Sequence, residues 1–287
     1  MPAQLDGSVS VVVVVFNPGQ ELVDLAESLE QATRSRVDLV LVNNGARNAV
    51  IDAVEAGSRA RVLDPGGNVG YGAGINFGLR HTTGEWVVAA NPDLVFSPGS
   101  LDVLLSVAAA SPRAGALGPC LLNSDGSIYP SAREVPAIVQ GTAHALLVRV
   151  WPRNPWSAAY RQSGTAGTGE TRTAGWLSGA CLVLRRAALD EVGGFDEDYF
   201  MFFEDLDLGE RLGKHGWSNL YVPSALVTHV QGVSWKQKPA RMISAHHASA
   251  RLYVSKKYPH WYQAPLRGVL SLGLHARERI QVRGATR

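Results

Sequence analysis

Val9 to Phe16 is a largely β-branched run whose single polar residue is Ser10, which predicts a strand buried on both faces. The next segment, Glu21 to Ala32, is polar with leucines at helical spacing and predicts a helix. The same alternation continues. Asp38 to Val42 predicts a second buried strand, Arg61 to Leu63 a short third, Tyr71 to His81 a glycine-tolerant helix, and Trp86 to Ala90 a fourth strand that runs into Asn91-Pro92-Asp93. Strand and helix in turn argue for an α/β fold with a mixed, mostly parallel central sheet and flanking helices. In such a sheet the ligand crevice lies beyond the carboxyl ends of the strands, so chemistry is expected in the loops that follow them.

After a helix from about Pro98 to Ala110 the pattern changes to short strands around Leu117 to Leu122 and a hairpin-type turn at Asp125-Gly126. Trp151 to Thr173 is rich in Pro, Gly, Ser and Thr without periodicity, which predicts a long loop and a candidate lid. Leu177 to Leu184 reads as a strand, Arg186 to Val192 as a short helix stopped by Gly193-Gly194, and Glu204 to Lys214 as a helix closed by Gly216. Two strands near Leu220 to Val222 and Leu226 to Val230 precede a helix from about Ala240 to Lys257.

Composition narrows the class without naming it. A hydrophobic share of 46% over 287 residues supports a full core, and a formal charge of +2 is too small to argue for nucleic acid. The charge is unevenly spread: from Lys236 to Arg287 the only acid is Glu278, which reads either as a solvated helical face or as a surface for anionic lipid headgroups. No apolar run approaches the roughly 18 residues of a membrane span, and the expected location is cytoplasmic. Cys120 and Cys181 lie in apolar runs, as buried reduced thiols do.

Four features could carry chemistry. A carboxylate at Asp93, just past a buried strand, is placed to hold a divalent cation, although Pro-Asp after a strand is more often a turn. Glu204, Asp205 and Asp207 open a helix, where the dipole favours acids in any case, yet Phe195, Tyr199, Phe200, Phe202 and Phe203 form an apolar surround that can raise a carboxylate pKa for general-base work. His229 ends a strand; paired with a carboxylate it suits Mn²⁺. Gly66 to Gly74 is glycine-dense before a helix and permits close backbone approach to a phosphate, but it is neither a dinucleotide fingerprint nor a Walker loop. His246 and His247, adjacent on a helix, diverge by about 100° and do not share a ligand.

In order and spacing, Val11 to Asn17, Leu41 to Gly45, Asn68 to Asn76, Asn91-Pro92-Asp93, Trp176 to Ala180, Gly194 to Glu197, Glu204 to Leu208 and His229 resemble the family 2 glycosyltransferases, in particular their rhamnosyltransferase branch. The resemblance covers about residues 8 to 235. It implies a GT-A fold in residues 1–235, with nucleotide-sugar binding in about 1–110 and acceptor binding in 111–235, and a basic helical C-terminal extension over 236–287. It implies an inverting transfer from a nucleoside diphosphate sugar, dTDP-L-rhamnose in that branch, to a polyprenyl-diphosphate-linked acceptor, with peripheral contact at the inner face of the plasma membrane.

Carried over by position, the resemblance gives Asp205 as catalytic base. Phe16, Asn17, Asn43, Asn68, Gly70, Asn91 and Asp93 fall on the donor side, and Trp176, Ser178, Gly179 and Glu204 on the acceptor side. Asp93 and His229 fall at the metal, Mn²⁺ or Mg²⁺. Asn43 and Asn91 stand where the family often has Asp, so the cation is expected to bind mainly with the donor diphosphate. A sugar nucleotidyltransferase would show Gly, Arg and Lys after the first strand, where this chain has Phe16-Asn17-Pro18. A non-catalytic carbohydrate-binding or scaffold domain has no need of Asp93, Asp205 and His229 together.

Overall fold

Every residue of strand β1 (Val9–Val15) is buried, and it pairs in parallel on both sides, with β2 (Val37–Asn43) and β4 (Trp86–Ala90). The computed structural model describes residues 9–58, 60–135, 169–230 and 239–285. β3 (Arg61–Leu63) adds in parallel to β2. Helices α1 (Gln20–Ala32), α2 (Ala49–Ser58) and α3 (Tyr71–Leu79) fall between these strands in sequence. α1 buries Leu22, Leu25, Ala26 and Leu29 with Val11, Val13 and Leu41 of the sheet, the 3.6-residue stripe that its sequence predicts. α3 lies much closer. A Cβ on Gly78 would stand 2.4 Å from Val12 Cγ1, and one on Gly74 2.8 Å from Val14 Cγ2, so the two glycines, one turn apart, let the helix backbone rest on the valines.

The second half extends the same sheet. α4 (Ser100–Ala110) leads into β6 (Ala114–Leu122), and β11 (Cys181–Arg185) inserts antiparallel between β4 and β6. β12 (Ser218–His229) runs parallel to β6 and antiparallel to β5 (Leu94–Phe96), giving the order β3-β2-β1-β4-β11-β6-β12-β5. β7 (Ile128–Tyr129) pairs with β6, and β9 (Arg172–Ala174) with β12. A separate two-stranded ladder joins β8 (Ala132–Arg133) to β10 (Trp176–Leu177). Helices α5 (Arg186–Val192) and α6 (Glu204–Lys214) precede β12; α7 (Pro239–Lys257) and α8 (Ala264–Ala285) end the chain.

Three expectations are corrected. The Leu177 to Leu184 run is broken at Ser178-Gly179-Ala180 into β10 and β11, which belong to different sheets. The two strands expected between Leu220 and Val230 are one strand, β12, whose register shifts between Val222 and Leu226 because Pro223 cannot donate to the ladder. Arg172 and Thr173, read as loop, belong to β9; most of the candidate lid, through residue 168, lies outside the described residues.

α7 is fastened to the chain just before α6. Tyr253 packs with Tyr199 and Leu206, Ser249 Oγ donates to Met201 O at 2.7 Å, and Lys256 pairs with Asp196 and with Asp198 at 2.7 Å. The C-terminal helices therefore brace the segment that carries the acidic helix start.

Candidate active site

The carboxyl ends of β1, β2 and β4 lie side by side, with Val15 opposite Asn43 and Val13 opposite Ala90. This edge carries the residues expected on the donor side. Phe16 is 53% exposed, and Asn17 takes a positive φ of 50° against Gly45, where a Cβ would meet Asn17 Oδ1 at 2.8 Å. Asn43 is buried and accepts Gly45 N at 3.1 Å, so it shapes the turn after β2. Asn68 Oδ1 accepts from Gly70 N at 3.1 Å and from Asn44 Nδ2 at 3.3 Å. Gly70 has φ 90°, and a Cβ there would lie 2.2 Å from Phe200 O, so only glycine fits.

At the end of β4, Asn91 N donates to Ala180 O at 2.9 Å, and Asp93 faces the end of β12. His229 Nε2 lies 3.1 Å from Asp93 Oδ1 and 3.4 Å from Asn91 Nδ2, with both the Asp93 and His229 side chains largely buried. Neighbouring ligands of an octahedral cation with bonds of about 2.1 Å are about 3.0 Å apart, so this pair fits two corners of a Mg²⁺- or Mn²⁺-sized site. His229 Nδ1 is buried without a partner among the described residues, while Nε2 lies within hydrogen-bond reach of the Asp93 carboxylate; offering its Nε2 lone pair to a cation would need the proton on Nδ1. Among the described residues no group of three or more His, Cys, Asp or Glu side chains could hold a metal. A cation here needs oxygens from its ligand as well.

The acidic helix start faces the same edge. Asp205 Oδ2 accepts Gly179 N at 2.8 Å and Oδ1 accepts Leu206 N at 2.8 Å. Burial raises the Asp205 pKa; these two backbone bonds and the nearby Arg133 charge oppose the rise. Glu204 is 6% exposed, lies beneath Gly72, and has an Oε2 with no partner among the described residues. Burial and the Asp205 charge push Glu204 well above the carboxylate range, so Asp205 is the member of the pair that ionises first. Phe202 and Phe203, immediately before it, both have φ 69°, a left-handed conformation costing about 1–3 kcal/mol each that fixes where the helix begins.

Trp176, Ser178 and Gly179 line the opposite wall. A Cβ on Gly209 of α6 would meet Trp176 Cβ at 2.7 Å, and one on Gly179 would meet Asp205 Cβ at 3.1 Å, so α6 presses directly on this strand. Tyr71 donates to Gly179 O at 2.5 Å and feels the charges of Glu204, Asp205 and Asp93, which places it between the base candidate and the metal pair. Burial is the larger cause of its strongly raised pKa.

A profile described as "Glycosyltransferase like family 2" matches residues 6–243. The chain belongs to this family. N-acetylglucosaminyl-diphospho-decaprenol L-rhamnosyltransferase of Mycobacterium tuberculosis is 43% identical over 289 residues, 96% of this chain and 94% of the relative. The O-antigen biosynthesis protein RfbC of Myxococcus xanthus is 29% identical over 241 residues, 81% of this chain but 18% of its own. Among solved structures, GalNAc-T7 with UDP, GalNAc and Mn²⁺ superposes with a TM-score of 0.59 at 13% identity over 79% of this chain and 44% of that one. S. aureus TarS 1–349 gives 0.57 at 14% identity over 93% and 70%. The mannosyltransferase PcManGT from Pyrobaculum calidifontis, with GDP-Man and Mn²⁺, gives 0.55 at 17% identity over 85% and 64%. At these identities the likeness is one of fold, and the fold is GT-A.

In this family 2 glycosyltransferase, the structure brings Asp93, Asn91 and His229 into one group and Asp205, Gly179 and Trp176 into another. It adds Tyr71 and Arg133 between them, two residues that the motifs did not single out. Tyr71 stands inside the glycine-rich motif; Arg133 has no motif around it.

The raised pKa of Glu204 gives a stability test. A carboxyl raised on folding favours the folded state below its unfolded pKa and loses that contribution as pH climbs toward the folded value. Glu204→Gln should therefore melt like the wild type near about pH 4 and higher than it near about pH 8. Equal destabilisation at both values in a thermal scan would show that the carboxyl is held by a bond worth more than its desolvation.

Proposed function

We propose that this chain is an inverting, cation-dependent glycosyltransferase that moves L-rhamnose from dTDP-L-rhamnose to N-acetylglucosaminyl-diphospho-decaprenol. The identity of 43% along nearly the whole length of both chains to a relative named for that sugar and acceptor is the observation that supports sugar and acceptor; the dTDP carrier rests on the resemblance to the rhamnosyltransferase branch. About 1–110 holds the donor, 111–235 the acceptor.

The reaction is read as direct displacement. Asp205 has one backbone bond on each oxygen, which fixes the carboxylate plane and leaves each oxygen a second lone pair for the acceptor hydroxyl proton. Its raised pKa makes it the stronger base for that step. Asp93 and His229 hold the cation, which when bound supplies positive charge to the departing diphosphate. Phe16, Asn17 and Asn43 shape the nucleoside end, and Gly70 lets the chain pass close to it. Orientation and charge stabilisation supply most of the acceleration.

A lipid-linked acceptor calls for contact at the inner face of the membrane, and α8 is the surface read for it. Pro265, Val269, Leu272, Ala276 and Ile280 recur at helical spacing and all are exposed, Val269 and Leu272 by 70% and 72%. Trp261, 85% exposed, and Tyr262 stand at the turn before the helix, and Arg277 and Arg279 flank the apolar stripe. Among the described residues no helix is long and apolar enough to cross a membrane. Outward apolar residues, interfacial aromatics and arginines together suit a helix lying on an anionic bilayer.

The test of function is release of dTDP from dTDP-L-rhamnose with Mg²⁺ or Mn²⁺, with and without a short-chain N-acetylglucosaminyl-diphospho-prenol. Acceptor-stimulated release is expected, falling about 10²–10⁴-fold in Asp205→Asn. Release from another sugar nucleotide but not this one would reassign the donor, and an unimpaired Asp205→Asn would remove the base. For the membrane surface, sedimentation with phosphatidylglycerol vesicles is expected to weaken at least about tenfold in Leu272→Glu, with turnover of the short-chain acceptor retained. Undiminished binding, or a wild-type dimer that Leu272→Glu dissociates, would assign the stripe to another role.

A further inference from the structure

Arg133 is held by its surroundings in a way that leaves its charge unspent. β8 is only two residues long, fixed by its ladder to β10, where Arg133 faces Trp176, and by Ser178 N donating to Ser131 O at 2.7 Å. The guanidinium carbon lies 5.2 Å from the Trp176 ring centre and 5.8 Å from that of Tyr129, and Nε donates to Pro130 O at 3.0 Å. Its two Nη atoms have no hydrogen-bond or ion-pair partner among the described residues.

The position of this cation within the cleft is defined from both sides. Trp176 backs onto Gly209 of the helix that presents Asp205, and the Asp205 carboxyl feels the Arg133 charge. On the other side the Tyr129 ring meets His229 edge-on at 6.3 Å. Arg133 thus stands between the base and the cation pair. The guanidinium, half-exposed and stacked between two rings, keeps its Nη edge open to an anion entering the cleft. The planar Nη fork matches phosphoryl oxygens.

We propose that Arg133 is an anion-binding residue of the cleft, its Nη donors engaging a phosphoryl oxygen of a diphosphate ester bound there. This rests on the glycosyl-transfer reading, in which two such esters meet: the nucleotide donor and the lipid-diphosphate acceptor. Either presents the same chemistry to Arg133.

The experiment measures two things on the full chain for wild type, Arg133→Met and Arg133→Lys. The first is Mg²⁺-dependent binding of dTDP and of inorganic diphosphate by calorimetry. The second is KM for a short-chain N-acetylglucosaminyl-diphospho-prenol against an octyl glycoside of N-acetylglucosamine that lacks phosphate. If the donor is the ligand, dTDP and diphosphate affinity fall about tenfold to a hundredfold in Arg133→Met, with partial recovery in Arg133→Lys. If the acceptor is the ligand, dTDP affinity holds and KM for the diphosphate acceptor rises by a similar factor while KM for the octyl glycoside does not; any change in kcat through Asp205 is then common to both acceptors.

The proposal is overturned if both affinities and the diphosphate-acceptor KM stay within about twofold of wild type in a variant of unchanged melting temperature. Should Arg133→Met melt early, Arg133→Gln, which keeps a polar side chain but removes the charge, carries the same comparison. Inorganic diphosphate reads the anion site whatever sugar or base the chain uses, so loss of rhamnosyl transfer and loss of the anion site are told apart.

Discussion

The Asp205 carboxylate is gripped by two backbone N–H groups, Leu206 of its own helix and Gly179 of the facing wall, and the arrangement of the site depends on that contact. It requires α6 to begin within hydrogen-bond reach of the break between β10 and β11, with no side chain between. Gly179 and Gly209 supply the missing Cβ atoms, the left-handed Phe202 and Phe203 set the helix start, and Gly70 lets Phe200 O receive Tyr71 N at 3.0 Å. Backbone strain of this kind persists only where packing over-determines it. Here α7 does so, through Tyr253, Ser249 and Lys256.

Around that contact the charges are sorted by task. Asp93 and His229, brought together by the β5–β12 pairing, form a pair that, on the proposed reading, would take a cation only with a ligand's oxygens. Asp205, with its pKa raised by burial yet moderated by two N–H groups and Arg133, is kept ionisable beside a Glu204 pushed further toward the neutral form. Two adjacent carboxyls with environments this different are suited to two roles, one chemical and one structural. Tyr71 ties the halves by bonding the carbonyl of the same Gly179 whose N–H holds Asp205.

Much of this was legible along the chain. β1, β3, β4, α5 and α6 follow from β-branched runs and stop signals, and the GT-A fold follows from the order of several short motifs. What periodicity missed has physical reasons. β10 and β11 look like one strand because apolar residues flank Ser178-Gly179, a turn signal only one dipeptide long, and the two ladders show the chain changing sheets. β12 looks like two strands because Pro223 interrupts a ladder that then resumes in a shifted register. α8 falls in the segment expected to be helical and basic, and what the structure adds is that its apolar residues face outward. Arg133 and Tyr71 were invisible as site residues because their roles arise from tertiary contacts distant in sequence, 108 residues apart for Tyr71 and Gly179.

The configuration at the anomeric carbon of the first-formed product tests single displacement driven by Asp205 most directly, and proton NMR of the product from whichever sugar nucleotide the chain turns over reads it. A base that acts on the acceptor hydroxyl in a single displacement predicts inversion relative to the donor. Retention would mean either two successive displacements or attack from the face the diphosphate leaves, and each contradicts a single back-side displacement assisted by Asp205.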